Sequence, residues 1–241
     1  MTAVARRFTG DRLLVATHNP GKLAEFRALL EPRGIRIVGA GELGLQAPAE
    51  TGATFLDNAR LKALAAARAS GLPALADDSG LEVRGLDGAP GLATAEWAGP
   101  QRDFARAMGR VRAELEARFG SIERADRRAA FVAALCLAWP DGHVECAEGR
   151  VEGEIAPEPR GAGGFGYDPL FVPEGESRTF GEMLASEKEA LSHRARAVRA
   201  LLAACFSPSE GERHLSDGRT AAAARDDPAD GGEGGRPGAG G

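Results

Sequence analysis

The chain has 241 residues, 43% of them hydrophobic, which suits one α/β domain with a packed core. Its formal net charge of −5 argues against nucleic acid as the main partner, since such proteins usually present a basic face. No apolar run approaches the ~20 residues that cross a bilayer, and Asp11 and Arg12 interrupt any apolar region after the twin arginine, so neither a membrane partner nor an export signal is expected.

Residues 1–11 read as an N-terminal extension before a domain over 12–206. Residues 12–17, R-L-L-V-A-T, form a candidate buried strand, and 22–30 a helix with Leu23, Phe26, Leu29 and Leu30 apolar. Pro32 and Gly34 stop that helix, and a short strand, I-R-I-V, follows. Thr54 is the expected N-cap of a helix over 55–70, ended by Gly71 and Pro73. Leu75 and Ala76 lead into D-D-S-G, read as a strand end, before the strand L-E-V-R. Residues 85–99 read as loop, and 102–119 as a helix with Phe104, Met108, Val111 and Leu115 on one face. Asp141-Gly142 joins candidate strands over 128–139 and 143–155 into a hairpin. After a loop over 157–166, a final helix is expected over 186–206, opened by Ser186 and Glu189 as a capping box. Residues 207–241, rich in Gly, Pro, Ser and charge, cannot bury enough apolar surface and read as a disordered tail. Early alternation and a late hairpin predict an α/β fold: a mixed, strongly twisted sheet with flanking helices, in two lobes around a nucleotide-binding cleft.

Cys136, Cys146 and Cys205 are odd in number and widely spaced, and His18, His143, His193 and His214 lack metal-ligand spacing. Neither a disulfide framework nor a zinc site is expected, and the setting is taken as reduced and cytoplasmic.

Only three of the 30 basic residues are lysines: Lys22, Lys62 and Lys188. A compact ammonium on a thin stem fits beside a crowded phosphate where a planar guanidinium does not, so lysines kept in an arginine-biased chain mark candidate anion contacts. Lys22 ends V-A-T-H-N-P-G-K, where a strand turns into a helix whose orphaned N–H groups suit an anion. Here Thr17 and Asn19 can donate to phosphate, and Gly21 permits close approach. This is not a Walker loop, which needs G-x-x-x-x-G-K-[ST].

L-A-D-D-S-G-L holds adjacent carboxylates, Asp77 and Asp78, a pairing that suits a hard cation such as Mg²⁺. One aspartate can instead accept a proton from attacking water. Glu50 is a third carboxylate for that metal site, and Asn58 and Lys62, four apart on one helix, share a face. In R-G-A-G-G-F-G-Y-D-P-L-F, the glycines flank Phe165 and Tyr167, with Asp168 beside them, which allows a ring to stack on a base while a carboxylate reads its edge. In S-E-K-E-A-L-S-H-R, Lys188 in the first helical turn can meet a phosphate, and about a turn and a half later His193 and Arg194 are adjacent donors suited to base carbonyls. Each segment also has a plain structural reading: a turn, a solvated helix face or an aromatic core plug.

Taken in order, T-H-N-P-G-K, E-T-G-A-T-F-L-D-N-A-R-L-K-A, A-D-D-S-G-L-E-V, L-D-G-A-P-G, G-F-G-Y-D-P-L-F and E-K-E-A-L-S-H-R resemble the inosine/xanthosine triphosphate pyrophosphatase family, the dITP/XTP pyrophosphatases. The resemblance implies Mg²⁺-dependent hydrolysis of ITP, dITP and XTP to the monophosphate and pyrophosphate, by a homodimer. It implies that Thr17, His18, Asn19, Pro20, Gly21 and Lys22 hold substrate, with Lys62 at the phosphates. It assigns Asp78 as proton acceptor and metal ligand, with Glu50 as a further candidate ligand, and Ser79 to the substrate. Phe165, Gly166, Tyr167, Asp168, Lys188, His193 and Arg194 would complete recognition. The chain departs from that family's commoner pattern at His18, often glycine, at Ala49, often an acid, and at Thr94 and Glu96, often Ser and Arg. Two other readings stand beside it: a Maf-like nucleotide pyrophosphatase, whose S-x-S-P-R-R opening is absent, and a nucleotide- or RNA-binding module without catalysis.

Overall fold

The computed structural model describes residues 5–206; the expected tail over 207–241 lies outside the described residues. Strand β1 (Arg12–Val15), helix α1 (Pro20–Leu30) and strand β2 (Arg36–Gly39) make a βαβ unit with the strands parallel. Helix α2 (Phe55–Ser70) starts at Thr54, whose hydroxyl accepts the Asp57 N–H at 3.1 Å while the Asp57 carboxylate accepts the Thr54 N–H at 3.1 Å, and it ends at Gly71 with φ 69°. It delivers β3 (Ala74–Val83), again parallel to β1. Helix α3 (Phe104–Phe119) precedes the antiparallel hairpin of β4 (Arg128–Ala138) and β5 (Val144–Ile155), and β6 (Phe171–Pro173) closes the sheet. The sheet order is β2-β1-β3-β4-β5-β6, so a parallel edge is joined to an antiparallel half: a mixed sheet in an α/β fold.

Three apolar clusters cover this sheet. On one face, Leu13, Val15, Leu75, Leu135 and Leu137 pack with Phe26 and Leu30 of α1 and with Val198 and Leu201 further on. Farther along the same strands, Leu81, Val83, Phe131 and Val151 pack against Val111 and Leu115 of α3. On the opposite face, Ala74, Ala76, Ala134 and Cys136 meet Ala59, Ala63 and Ala67 of α2. Small residues on both sides let α2 lie close to the sheet. Residues 5–11, set apart above as an extension, also contribute: Phe8 is buried, and its N–H donates to the Cys205 carbonyl at 2.6 Å.

Three local expectations change. D-D-S-G is not a strand end: β3 is continuous and pairs with β4 from Ala74↔Ala138 to Val83↔Ala129, so ladder pairing overrides the local turn preference of Asp, Ser and Gly. The final helix is two helices, α4 (Ala185–Leu191) and α5 (His193–Cys205), separated at Ser192, which is extended at ψ 152°. Ser192 caps α5 by accepting the Ala195 N–H at 3.1 Å, and Glu187 rather than Glu189 caps α4 through the Leu184 N–H at 2.8 Å. Cys136 and Cys146 form a disulfide, because β4–β5 register sets them directly opposite with Cα atoms 4.2 Å apart; spacing alone carried no sign of it. Cys205 is a buried thiol.

The α5 start lies hard against β5, where a Cβ added at Gly149 would come 2.1 Å from the His193 carbonyl oxygen. Gly149→Ala is therefore expected to lower stability by about 1–3 kcal/mol through forced backbone movement, read as the shift in urea midpoint.

Candidate active site

The site arises where β1 stops short. Beyond Val15, Ala16 N–H still reaches the Leu75 carbonyl at 2.8 Å, and the next tie on that side of β3 is Leu81 N–H to Thr94 Oγ1 at 3.0 Å. Between them, Asp77 to Gly80 borders a cleft. Strand alternation sends neighbouring side chains to opposite faces, so Asp77 and Ser79 turn towards α1 and α5 while Asp78 turns towards α2. The two aspartates therefore do not form one cation site, and the pairing expected from their adjacency is replaced by two separate roles.

Asp77 has no exposed side-chain surface and accepts hydrogen bonds from Lys22 Nζ, from Arg194 Nε at 2.9 Å and from Ser79 Oγ at 3.0 Å. Burial opposes its charge, but the Arg194 and Lys22 cations outweigh burial and hold the carboxyl far below the ordinary range. Arg194 also donates to Glu25 of α1, and Glu25 accepts Lys188 Nζ at 2.8 Å. Lys188 reaches Asp168 at 2.7 Å, and its ammonium lies 4.5 Å from the centre of the Phe165 ring. A buried chain of alternating charge thus runs from Lys22 to Asp168 and ties α1, β3, α4, α5 and the Phe165 loop together.

On the other face, Lys62 Nζ donates to Asp78 at 2.8 Å and to Glu50 at 3.0 Å. Asn58 spans the same region, donating to Asp78 at 3.2 Å while accepting the Gly52 N–H at 2.7 Å, which fixes the loop that carries Glu50. Burial pushes the Asp78 carboxyl above its ordinary pKa despite Lys62. Burial also works against the Lys62 charge, but Asp78 and Glu50 raise its pKa overall.

In the first loop, Thr17 Oγ1 accepts the Asn19 N–H at 3.1 Å, and Asn19 Oδ1 caps α1 by accepting the Gly21 and Lys22 N–H groups at 2.9 and 3.3 Å. Thr17, the exposed His18, Asn19 and Lys22 line the cleft, whereas Pro20 and Gly21 do not. Glycine is required at 21 by protein packing, since a Cβ would sit 2.8 Å from the Phe165 ring. Half-buried Phe165 and Gly166 line the cleft as well. Asp168 accepts the Phe165 N–H at 2.7 Å. Tyr167 is core: its hydroxyl donates to the Thr94 carbonyl at 3.1 Å, its ring meets Phe104 edge-on, and burial raises its pKa. His193 is buried and stacked on Phe131 at 4.8 Å; Nδ1 has no hydrogen-bond partner among the described residues, and burial, aided by Arg194, pulls its pKa well below 6.5.

Glu25 escaped the sequence reading, although it lies three residues after Lys22 and so shares its helix face. Thr94, singled out above only as a departure from the family pattern, also lines the cleft, as do Phe131 and Arg102, which had no motif to mark them. A second, larger hollow lies over Glu82, Arg128, Arg150 and Glu152, but there Arg150 pairs with Glu82 at 2.6 Å and with Glu152 at 2.5 Å, so no set of groups converges on a ligand.

Among the described residues no three His, Cys, Asp or Glu side chains gather as a ready-made metal centre. Mg²⁺ needs fewer, taking one or two carboxylates and completing its shell with water and phosphate oxygens. Asp78 and Glu50 already bracket one cation, Lys62 Nζ, so their oxygens reach a common point and the donor set fits that hard ion.

The Ham1 family profile matches residues 13–204, which takes in all but the first residue of β1 and all but the last residue of α5. The chain belongs to the Ham1 family. Among curated Ham1-like relatives, it is 56% identical to a dITP/XTP pyrophosphatase of Rhodopseudomonas palustris over 209 residues, covering 84% of this chain and 99% of the relative. It is likewise 56% identical to the dITP/XTP pyrophosphatase of Rhodospirillum centenum over 207 residues, covering 86% and 100%. A solved HAM1 protein from Coxiella burnetii superposes with a TM-score of 0.71 at 37% identity, covering 86% of this chain and 98% of that one.

Because the folded state holds His193 neutral, the unfolded chain binds a proton near pH 6.5 that the folded chain refuses. Stability is thus expected to fall as pH drops through that range, with a slope approaching about 1.4 kcal/mol per unit. Urea unfolding between about pH 7.5 and 5.5 should show this slope in the wild type and not in His193→Gln.

Proposed function

We propose that this protein hydrolyses the deaminated purine nucleoside triphosphates ITP, dITP and XTP to the monophosphate and pyrophosphate, removing them from the nucleotide pool. The observation that carries the reading is the convergence of Lys22, Lys62, Lys188 and Arg194, drawn from four helices, on the cleft at the free edge of β3, beside Asp78 and Glu50. Its setting in a chain so similar to dITP/XTP pyrophosphatases supplies the substrate class.

In this reading, Asp78 is the proton acceptor for the attacking water, and its burial-raised pKa brings it nearer to that of a useful base. Asp78 and Glu50 would hold a Mg²⁺, which supplies polarisation of phosphate and water oxygens when bound. Lys62 keeps Asp78 oriented and faces the phosphates, while Thr17, His18, Asn19, Lys22 and Ser79 line the phosphate path. Pro20 and Gly21 act behind them by starting α1 and admitting the Phe165 ring. Phe165 and Gly166 offer a surface for the base, with Tyr167 as the buried support beneath them. Asp168, Lys188, His193 and Arg194 supply polar groups for the purine edge.

Selectivity follows from dryness. A buried, unpartnered group such as His193 Nδ1 gains its hydrogen bond from a matching 6-oxo purine, and a mismatched 6-amino group leaves it orphaned, at about 1–3 kcal/mol per group. No described helix is long and apolar enough to cross a membrane. The reading carries with it the homodimer that the family resemblance implies and the cytoplasmic setting expected from the sequence.

Purified protein with Mg²⁺ should release pyrophosphate, not orthophosphate, from ITP and XTP, with ATP turned over far more slowly; equal turnover of ATP and ITP would remove the selectivity claim. Asp78→Asn should lower kcat by about 10²–10⁴-fold without loss of fold by circular dichroism. Full activity in that variant would end the role given to Asp78.

A further inference from the structure

The cleft contains one more cation, and its circumstances differ from the rest. Lys22, Arg194 and Lys188 are matched by Asp77, Glu25 and Asp168, while Lys62 faces both Asp78 and Glu50. The paired groups therefore carry a small net negative charge before any substrate arrives. A triphosphate adds several more negative charges, and a divalent cation offsets only part of them. Arg102 lines the same cleft, is exposed, and its side chain has no hydrogen bond or ion pair among the described residues.

Its backbone is also held in an unusual state. Arg102 has φ 54°, the left-handed region that glycine adopts freely and an arginine does not. Neighbouring hydrogen bonds impose it: the Arg102 N–H donates to the Gly99 carbonyl at 3.0 Å, and the next residue, Asp103, donates to Ala98 at 2.9 Å before capping α3 through the Arg106 N–H at 3.0 Å. Glycine would suit this backbone better. A strained position that keeps a long cation, aims it at a binding cleft and gives it no partner is the pattern expected of a ligand contact.

We infer that Arg102 is a further substrate-binding residue, clamping the outer phosphates that depart as pyrophosphate. The assignment rests on the nucleotide reading above. Base recognition requires buried groups, and Asp168, Lys188, His193 and Arg194, given that role above, are all buried. The pyrophosphate end is the most charged part of the substrate and the part best placed at the solvent side, where Arg102 is the only cation of the cleft, among the described residues, not already neutralised. Its planar fork can hold two phosphate oxygens at once.

The test compares wild type, Arg102→Gly and Arg102→Lys for steady-state ITP hydrolysis, for inhibition by pyrophosphate and by IMP, and for thermal midpoint. Arg102→Gly should keep or raise the midpoint, because it relieves the positive φ, while raising KM for ITP roughly 10-fold or more, as loss of a charge-assisted contact predicts. Pyrophosphate inhibition should weaken in parallel, IMP inhibition should change little, and Arg102→Lys should recover part of the loss. Unchanged KM in Arg102→Gly overturns the assignment, as does weakened IMP binding with pyrophosphate binding intact. A wild-type protein that releases no pyrophosphate from ITP would instead overturn the function on which the assignment rests.

Discussion

The buried carboxylate of Asp77 is the point on which the rest of the site depends. It is shared by Lys22 from α1 and Arg194 from α5, so one side chain of β3 ties both helices by ion pairs. Without it, Lys22 would be left with no carboxylate partner among the described residues and Arg194 with Glu25 alone, a far larger penalty than the modest net value of a completed buried pair. Its contribution is therefore orientation more than stability. Glu25 and Asp168 extend the same logic outward, so that Lys188, Arg194 and the Phe165 loop are positioned by carboxylates before a ligand is present. Such preorganisation spares the ligand the work of ordering long side chains.

A second constraint is geometric. Because β1 ends at Val15 and β3 continues to Val83, the sheet leaves one strand edge open in its middle. Along the face shared by β3 and β4, the apolar cluster under α1 and α5 stops at Leu75 and the one under α3 begins at Leu81. Asp77 and Ser79 occupy the gap between two separate cores. Polar groups are tolerated there because neither core has to accommodate them. This is the crevice that open α/β sheets use for ligands, at strand ends where the order of connection changes.

Much of the element sequence was legible because it rests on local chemistry. The helix over 55–70 was readable from Thr54, Gly71 and its periodicity, and the hairpin from Asp141-Gly142 between long apolar runs. The lysines were legible as site candidates because their scarcity set them apart, and all three line the cleft. Reading failed where a distant partner decided the local state. D-D-S-G has turn composition yet lies in a strand, because β4 pairs along its whole length. The break at Ser192 was hidden inside continuous helical periodicity, and the Cys136–Cys146 bond depends on register across a hairpin.

The sequence by itself determined the α/β class, the Thr54 and Gly71 caps of α2, and which polar residues are candidates, since composition, periodicity and turn chemistry act over a few positions. Only the tertiary structure decided what each of those residues does. It turned the adjacent Asp77 and Asp78 to opposite faces, retired Tyr167 into the core behind Thr94, and recruited Glu25 from an unremarkable helix face. It also left the exposed Arg102 in the cleft lining without a side-chain partner among the described residues. The physical reason is that an ionisable group's role depends on burial and on charges within a few ångströms, and those neighbours come from elements far apart in the chain.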